Sequence, residues 1–279
     1  MSNLPPSVLR SHANPKIKRF LRLRDNRARR KAKRVIVDGW RETGQALEAG
    51  LKLCELFLSA EEYERKHSDP HSGEAKILQD AEKRDQLNIL SEPLLKKIAF
   101  GQSPRGVVSE FQEPTASLSD IQLSPNPLLL ILDRIEKPGN LGAIFRTGDA
   151  AGVDAILMCE CTDPFNPNAI RNSQGAIFHV QSASASESDI THFLEANRIT
   201  PRAARVESSD QLWETDLQAP TAIILGNEAE GLGGRWKETP GGQIRGIRIP
   251  MQGSADSLNV SITAAVISME AARQRKTSR

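Results

Sequence analysis

The chain has 279 residues, enough for two domains of ordinary size, and no run approaches the roughly 18 apolar residues that a membrane-spanning helix needs. The opening MSNLPPSVLRSHANPK lacks a signal-type apolar stretch, and the odd set Cys54, Cys159 and Cys161 stands without ligand-like neighbours. A soluble cytoplasmic protein is expected, with no disulfide framework and no structural zinc site. The net charge of +2 hides an asymmetry: residues 16 to 34 hold 11 of the 37 Lys and Arg against one acid, Asp25, and carry +10, leaving −8 for the rest.

In chain order, Asn14 and Pro15 read as an N-cap and first helical position, so the basic segment begins as a helix and then runs into a short strand, RVIVDG. Ile17, Phe20, Leu21 and Leu23 give it an apolar side. A solvated basic face is the plain alternative. With almost no acids for intrahelical pairs, the self-repulsion calls for a polyanion, and a phosphate backbone is the commonest. Lys16, Lys18, Arg19, Arg22, Arg24, Arg27, Arg29 and Arg30 are the candidate contacts to such a backbone. WRETGQALEAG, LCELFLSA, GEAKILQDAEKR, LNIL, EPLLKKIAF and GVVSEFQ then alternate helix and strand to residue 112, a small α/β domain. Residues 113 to 127, rich in Pro and Ser, read as a linker.

The second domain, residues 128 to 279, opens with the strand LLLILD and a helix over about 141 to 151. AILMCE follows, with C-x-C at a buried strand end, then a short helix near 166 to 171, and strands at IFHV, ARV, AIILGN and IRGIRIP. Unbroken apolar strands alternating with helices predict an α/β fold with a parallel sheet covered on both faces. SLNVSITAAVISMEAARQR is a closing helix with a basic last turn.

Three strand ends open into polar, glycine-containing loops, and such ends are where a parallel sheet places its ligand. In the first, Gly139, Gly142 and Gly148 miss the G-x-G-x-x-G dinucleotide spacing, and no phosphate-binding P-loop occurs anywhere. Asn140 and Arg146 accompany these glycines and could both approach the sheet's carboxyl edge, although Arg146 alone also reads as a surface arginine. The second loop places Glu228 and Glu230 among Gly226, Gly231 and Gly233, where Glu228 either caps the turn or serves the site. In the third, Ser257 and Asn259 either cap the last helix or join the site. His12, His67, His71, His179 and His192 are scattered and make neither a zinc nor a serine-hydrolase pattern, and His179 reads as a buried or edge residue.

GNLGAIFRT, ILGNEAEGL and IPMQGSADSLNVSITAAV, in this order across about 125 to 275, resemble the three signature motifs of the SpoU family, ribose 2'-O-methyltransferases of the SPOUT superfamily. IRNSQGAIFHV, with Arg171, Ser173 and Gly175, resembles a further family pattern. NPKIKRFLRLRDNRARR, VIVDG and PRGVVSEF resemble the family's substrate-binding domain, related to RNA-binding ribosomal proteins. The resemblance implies a SPOUT fold with a C-terminal trefoil knot, an exception to the rule that chains avoid knots. It implies S-adenosylmethionine as cofactor, held by Leu225, Gly226, Asn227, Ile249, Met251 and Leu258, and a homodimer whose sites borrow residues from the neighbour. The catalytic set implied is Asn140, Arg146, Glu228, Ser257 and Asn259. Because a guanidinium stays protonated, Arg146 is expected to orient the ribose hydroxyl and stabilise the developing alkoxide rather than act as a free base.

The expected activity is methylation of a ribose in ribosomal RNA, the 23S rRNA of the large subunit, without a metal. A transfer RNA substrate is the first alternative, and a non-catalytic RNA-binding ribosome-assembly factor is the second. A dinucleotide-dependent enzyme is a distant third.

Overall fold

The computed structural model describes residues 8–100, 105–208 and 210–277. The first seven residues of the opening segment and Pro104 of PRGVVSEF lie outside the described residues. The chain divides into two compact units, one of residues 1–114 with Phe165–Phe178, the other of residues 115–164 with 179–279.

In the first unit the basic segment forms two helices, α1 (Pro15–Arg22) and α2 (Asn26–Ala32), where one helix was expected. Asn14 caps α1 as expected, its side chain accepting from the Lys16 amide. The break is set by the segment's single acid: Asp25 caps α2, its carboxylate accepting from the Ala28 amide at 2.8 Å. Ile17, Phe20 and Leu23 are buried in a core with Ile36, Phe57, Leu90 and Val108.

The strands β1 (Arg34–Asp38), β2 (Leu53–Ser59), β3 (Leu87–Leu90) and β4 (Val107–Gln112) lie in the order β1-β4-β2-β3. β4 runs antiparallel to both neighbours, while β3 is parallel to β2. The helices are α3 (Trp40–Glu48), α4 (Ala60–His67), α5 (Gly73–Lys83) and α6 (Glu92–Ile98). Helix α4 went unpredicted because AEEYERKH is too polar to show a period; its start is fixed by Ser59, which accepts from the Glu62 amide at 3.1 Å.

Helix α8 (Pro167–Ser173) belongs to this unit and packs on β1, although its sequence position placed it in the second domain. Pro167, Ala169 and Ile170 are buried there, and Arg41 donates to the Gln174 side-chain oxygen at 3.2 Å. No local pattern could announce this, since the partner strand lies more than 100 residues upstream.

The second unit is built on β5 (Leu128–Asp133), β6 (Ala155–Cys159), β7 (Gln181–Ser184), β8 (Thr200–Ala204), β9 (Thr221–Leu225) and β12 (Arg245–Ile247). All pair parallel in the order β12-β8-β9-β5-β6-β7, and a small ladder of β10 (Glu238–Thr239) and β11 (Gly242–Gln243) stands apart. Every residue of β5, β6 and β9 is buried, as expected for a parallel sheet covered on both faces. Helix α7 (Pro138–Ala151) packs against α10 (Val260–Thr277), and α9 (Glu187–Ala196) packs against β8.

Several local readings are corrected. α9 was not foreseen, although Ser186 caps it through the Asp189 amide. IFHV is a 3-10 turn rather than a strand, β7 begins only at Gln181, and His179 is exposed. The expected linker is no free tether, because Leu118, Ile121 and Leu123 pack against the core of the second unit. Cys159 ends β6 fully buried as expected, and burial pushes the Cys161 thiol up to about 12, far from a reactive thiolate.

Candidate functional site

The strand order fixes where a ligand can sit. From β5 the chain moves to one side, to β6 and β7, whereas from β9 it moves to the other, ending at β12. Diverging connections leave a crevice beyond the carboxyl ends of the strands. A cavity of about 880 Å³ occupies the carboxyl ends of β8, β9 and β12, walled by residues 225–233, residues 247–251 and the start of α10. That volume suits a small-molecule ligand of nucleoside size.

The three loops read from the sequence meet there. Asn140, in the first turn of α7, donates from Nδ2 to Glu228 Oε1 at 2.6 Å, and its Oδ1 accepts from Asn259 Nδ2 at 3.3 Å. Three residues spread over 120 positions thus form one chain of hydrogen bonds. For Asn259 the choice between cap and site residue dissolves: its Oδ1 accepts from the Ser261 amide at 2.9 Å, capping α10, while its amide nitrogen reaches Asn140. Ser257 is exposed and lines the cavity.

Leu225, Gly226, Asn227, Ile249, Met251 and Leu258 all line the cavity. The Asn227 side chain is occupied in shaping its own loop: Oδ1 accepts from the Ala229 and Glu230 amides at 2.7 and 3.1 Å, and Nδ2 donates to the Arg134 carbonyl at 3.2 Å. Gly226 is required by contact, since a Cβ there would stand 2.3 Å from the Gly231 carbonyl carbon.

Arg146 is not brought to the cavity by its own chain. It sits in the middle of α7, exposed, and does not line the site. Six residues along a helix turn a side chain about 240° from Asn140. The expectation that the two approach one edge assumed a loop where the helix had already begun, at Pro138.

The basic set also divides. Arg29 is corrected from RNA contact to structural residue: it is 1% exposed, and its guanidinium donates to the Leu23 carbonyl at 3.1 Å, closing the end of α1. Arg19 forks onto the buried Glu110 carboxylate with two bonds of 2.6 Å, and that hydrogen bond, together with the Glu110 charge, raises its pKa. Lys16 reaches Glu55 and Asn88, each at 3.1 Å, and Arg24 donates to the Lys97 carbonyl while stacking over Phe100. Lys18, Arg22, Arg27 and Arg30 remain exposed.

The sequence reading missed a charged knot at the carboxyl ends of β5 and β6. Asp133, fully buried, pairs with Arg134 at 3.1 Å and with Arg235 at 3.3 Å, and Arg235 also reaches Glu160 and Glu187 at 3.0 and 2.9 Å. An Asp closing a wholly apolar strand was the one available signal. Among the described residues no group of three or more His, Cys, Asp or Glu could hold a metal ion, and no helix is long and apolar enough to cross a membrane.

Fold and cavity define an α/β protein with a ligand-sized cavity at the carboxyl edge of a parallel sheet. Residues 127–269 match the model of the SpoU rRNA Methylase family, and residues 14–109 match that of the MRM3-like substrate binding domain. The chain belongs to the SpoU rRNA methylase family. It is 25% identical over 260 residues to the 23S rRNA (guanosine(2553)-2'-O)-methyltransferase RlmP of Bacillus subtilis, covering 93% of this chain and 96% of that one. It is 27% identical over 274 residues to the 23S rRNA (uridine(2479)-2'-O)-methyltransferase of Streptomyces viridochromogenes, covering 95% and 92%. Among solved structures it resembles an AdoMet-bound rRNA methyltransferase from Sinorhizobium meliloti, with a TM-score of 0.83, 27% identity and 96% and 97% of the two chains covered.

Proposed function

We propose that this protein transfers a methyl group from S-adenosylmethionine to a ribose 2'-hydroxyl of large-subunit ribosomal RNA. The observation that carries the proposal is the Asn259–Asn140–Glu228 chain at the cavity mouth, which joins all three family motifs through side chains. The 23S rRNA specificity printed for its relatives and the AdoMet bound in a structure covering 96% of this chain support substrate and cofactor.

The residues present fit that cofactor. Ile249, Met251 and Leu258 are half-buried apolar walls for an adenine, and the backbone at 225–227 offers amides and carbonyls at the end of a rigid strand. When bound, S-adenosylmethionine supplies a methyl on a cationic sulfonium, already an excellent leaving group. The protein's share is therefore alignment and help with the hydroxyl proton. Asn140 is fixed in orientation by giving to Glu228 and taking from Asn259, and it holds the Glu228 carboxylate at the cavity mouth. Glu228 accepts the ribose hydroxyl's hydrogen bond and takes up its proton as the methyl is transferred, and Ser257 lies beside the ribose. The partner subunit's Arg146 stabilises the alkoxide as it forms.

The homodimer this requires is supported by Ile262 and Met269, half exposed and seven residues apart on α10, an apolar stripe beside α7, where Arg146 sits. The trefoil knot belongs to the same proposal: after β12 the chain turns back through 248–259, and α10 returns to bind the carbonyls of Asn126 and Leu217 through Arg275.

The RNA is held by the exposed cations Lys18, Arg22, Arg27 and Arg30 of the first unit. Changing these four to alanine is expected to weaken RNA binding at low salt and to flatten the slope of log affinity against log salt by about 3, since each phosphate contact contributes roughly 0.7–0.9. Filter binding across a salt series measures this, and an unchanged slope would place the RNA elsewhere.

The activity itself is tested with methyl-labelled S-adenosylmethionine and total RNA from a strain lacking the gene. Label in 23S rRNA at an alkali-resistant 2'-O-methyl linkage is the expected result. Label in transfer RNA alone would change the substrate, and RNA bound without label would make the protein an assembly factor.

A further inference from the structure

We infer that Asp133 is the positioning residue of the cofactor loop, acting through Arg134 and Arg235 as two tethers. The inference rests on the reading of residues 225–233 as a cofactor wall. These residues leave β9 and contain no regular element, yet must present Gly226, Asn227 and Glu228 in one arrangement. A loop of this kind is ordered only if something else fixes it, and otherwise ligand binding has to supply the ordering entropy.

The fixing comes from the neighbouring strand. Asp133 is the last residue of β5 and fully buried. Its Oδ2 accepts from Arg134 Nε at 3.1 Å, and Arg134 reaches across to Glu230 Oε2 at 3.2 Å and to the Gly231 carbonyl at 3.5 Å, the middle of the loop. Its Oδ1 stands 3.3 Å from Arg235 Nη2 as an ion pair without hydrogen-bond alignment. Arg235 lies just beyond the loop and is itself gripped by Glu160 at 3.0 Å and Glu187 at 2.9 Å, while Glu187 also accepts the Trp236 amide at 2.8 Å. Asn227 completes the fastening on the other side through the Arg134 carbonyl. One buried carboxylate thus serves two of the arginines at the loop, while a third, Arg205, donates to the Gly233 carbonyl at 3.2 Å without touching Asp133.

This geometry assigns the cost of losing Asp133 to cofactor binding rather than to the chemical step. With the tethers gone the loop samples open arrangements, and the cofactor must select the closed one; once it is bound, Glu228 still has Asn140 to hold it. Asp133→Asn is expected to raise the Kd for S-adenosylhomocysteine and the KM for S-adenosylmethionine about tenfold or more, with kcat at saturating cofactor changed less than threefold. Arg134→Ala, at a side chain only a quarter exposed yet outside the core, should raise both severalfold, and Arg134→Lys should recover part by restoring the charge without the fork. The double variant should cost less than the sum of the singles, because the Arg134 tether is common to both.

Isothermal titration with S-adenosylhomocysteine on the full-length wild type and each variant decides the matter. If the wild type binds and Arg134→Ala and Asp133→Asn bind equally well, the tether assignment fails alone, whatever happens to thermal stability. If Asp133→Asn does not fold, the Arg134 pair still decides. If the wild type itself does not bind, the cofactor reading falls and takes this inference with it.

Discussion

Gly226→Ala is expected to cripple S-adenosylmethionine binding while leaving the protein folded. The added Cβ would lie 2.3 Å from the Gly231 carbonyl carbon, 2.4 Å from its oxygen and 2.5 Å from the Leu232 nitrogen. All three are backbone atoms, so no side chain can rotate away. The turn is closed by the Gly231 amide donating to the Asn227 carbonyl at 3.0 Å, and relief of the clash must break that bond and swing residues 227–231 outward. Overpacking of this kind costs about 1–3 kcal/mol. Here the damage falls on a strand-end loop rather than on the buried strand before it. A fall in Tm of a few degrees is therefore expected, with cofactor affinity reduced at least about a hundredfold, as each 1.4 kcal/mol is tenfold. Calorimetric titration beside a thermal melt measures both, and affinity within threefold of wild type would remove this loop from the cofactor site.

The second large effect concerns catalysis without binding. Arg146→Ala is expected to lower kcat by about 10²–10³, the range for removing one donor to a developing oxyanion, with the affinities for RNA and cofactor changed less than threefold. Arg146→Lys should recover little, because an ammonium lacks the planar fork. The exposed position of Arg146, outside its own cavity, adds a sharper outcome. Mixing inactive Arg146→Ala protein with inactive Gly226→Ala protein should restore activity. On the proposed dimer, each mixed pair would contain one intact loop served by the other subunit's Arg146. Methyl transfer in the mixture, approaching a quarter of the wild-type rate if subunits exchange at random, is the expected readout. An inactive mixture of verified heterodimers would place the arginine in its own subunit's site.

What could be read from the chain and what could not differ residue by residue. The three polar loops were legible because each follows an apolar strand with Gly, Asn, Glu or Ser at its end, a pattern contained within a few residues. The N-cap at Asn14 and the buried stripe of Ile17, Phe20 and Leu23 were legible for the same reason: they depend on neighbours within a turn or two. Arg29 was not, since composition counts it as one more cation, and only the return of the chain at the end of α1 turns its guanidinium inward onto Leu23. Helices α4 and α9 were hidden by polar sequences whose order comes from a serine cap and from packing rather than from amphipathic period.

The site shows the same division. Asn140, Glu228 and Asn259 could be named from their loops, yet that Glu228 and Asn259 both bond to Asn140 emerged only when the fold put Asn140 between them. The pairing of Asp133 with Arg235 was hidden, because an ion pair between residues about 100 positions apart leaves no spacing to find, and only the Asp at the end of an apolar strand hinted at it. The sequence alone determined the strand-and-loop grammar of the second unit, the localised positive field and, through its motifs, the family. Tertiary structure alone decided that Arg29 is buried, that Asn140 joins Glu228 to Asn259, and that Asp133 meets Arg235 beside the loop at 225–233. The first group follows from interactions within a few residues, which periodicity and turn chemistry encode. The second depends on distances set by the stacking of strands far apart in the chain, which only the folded molecule specifies.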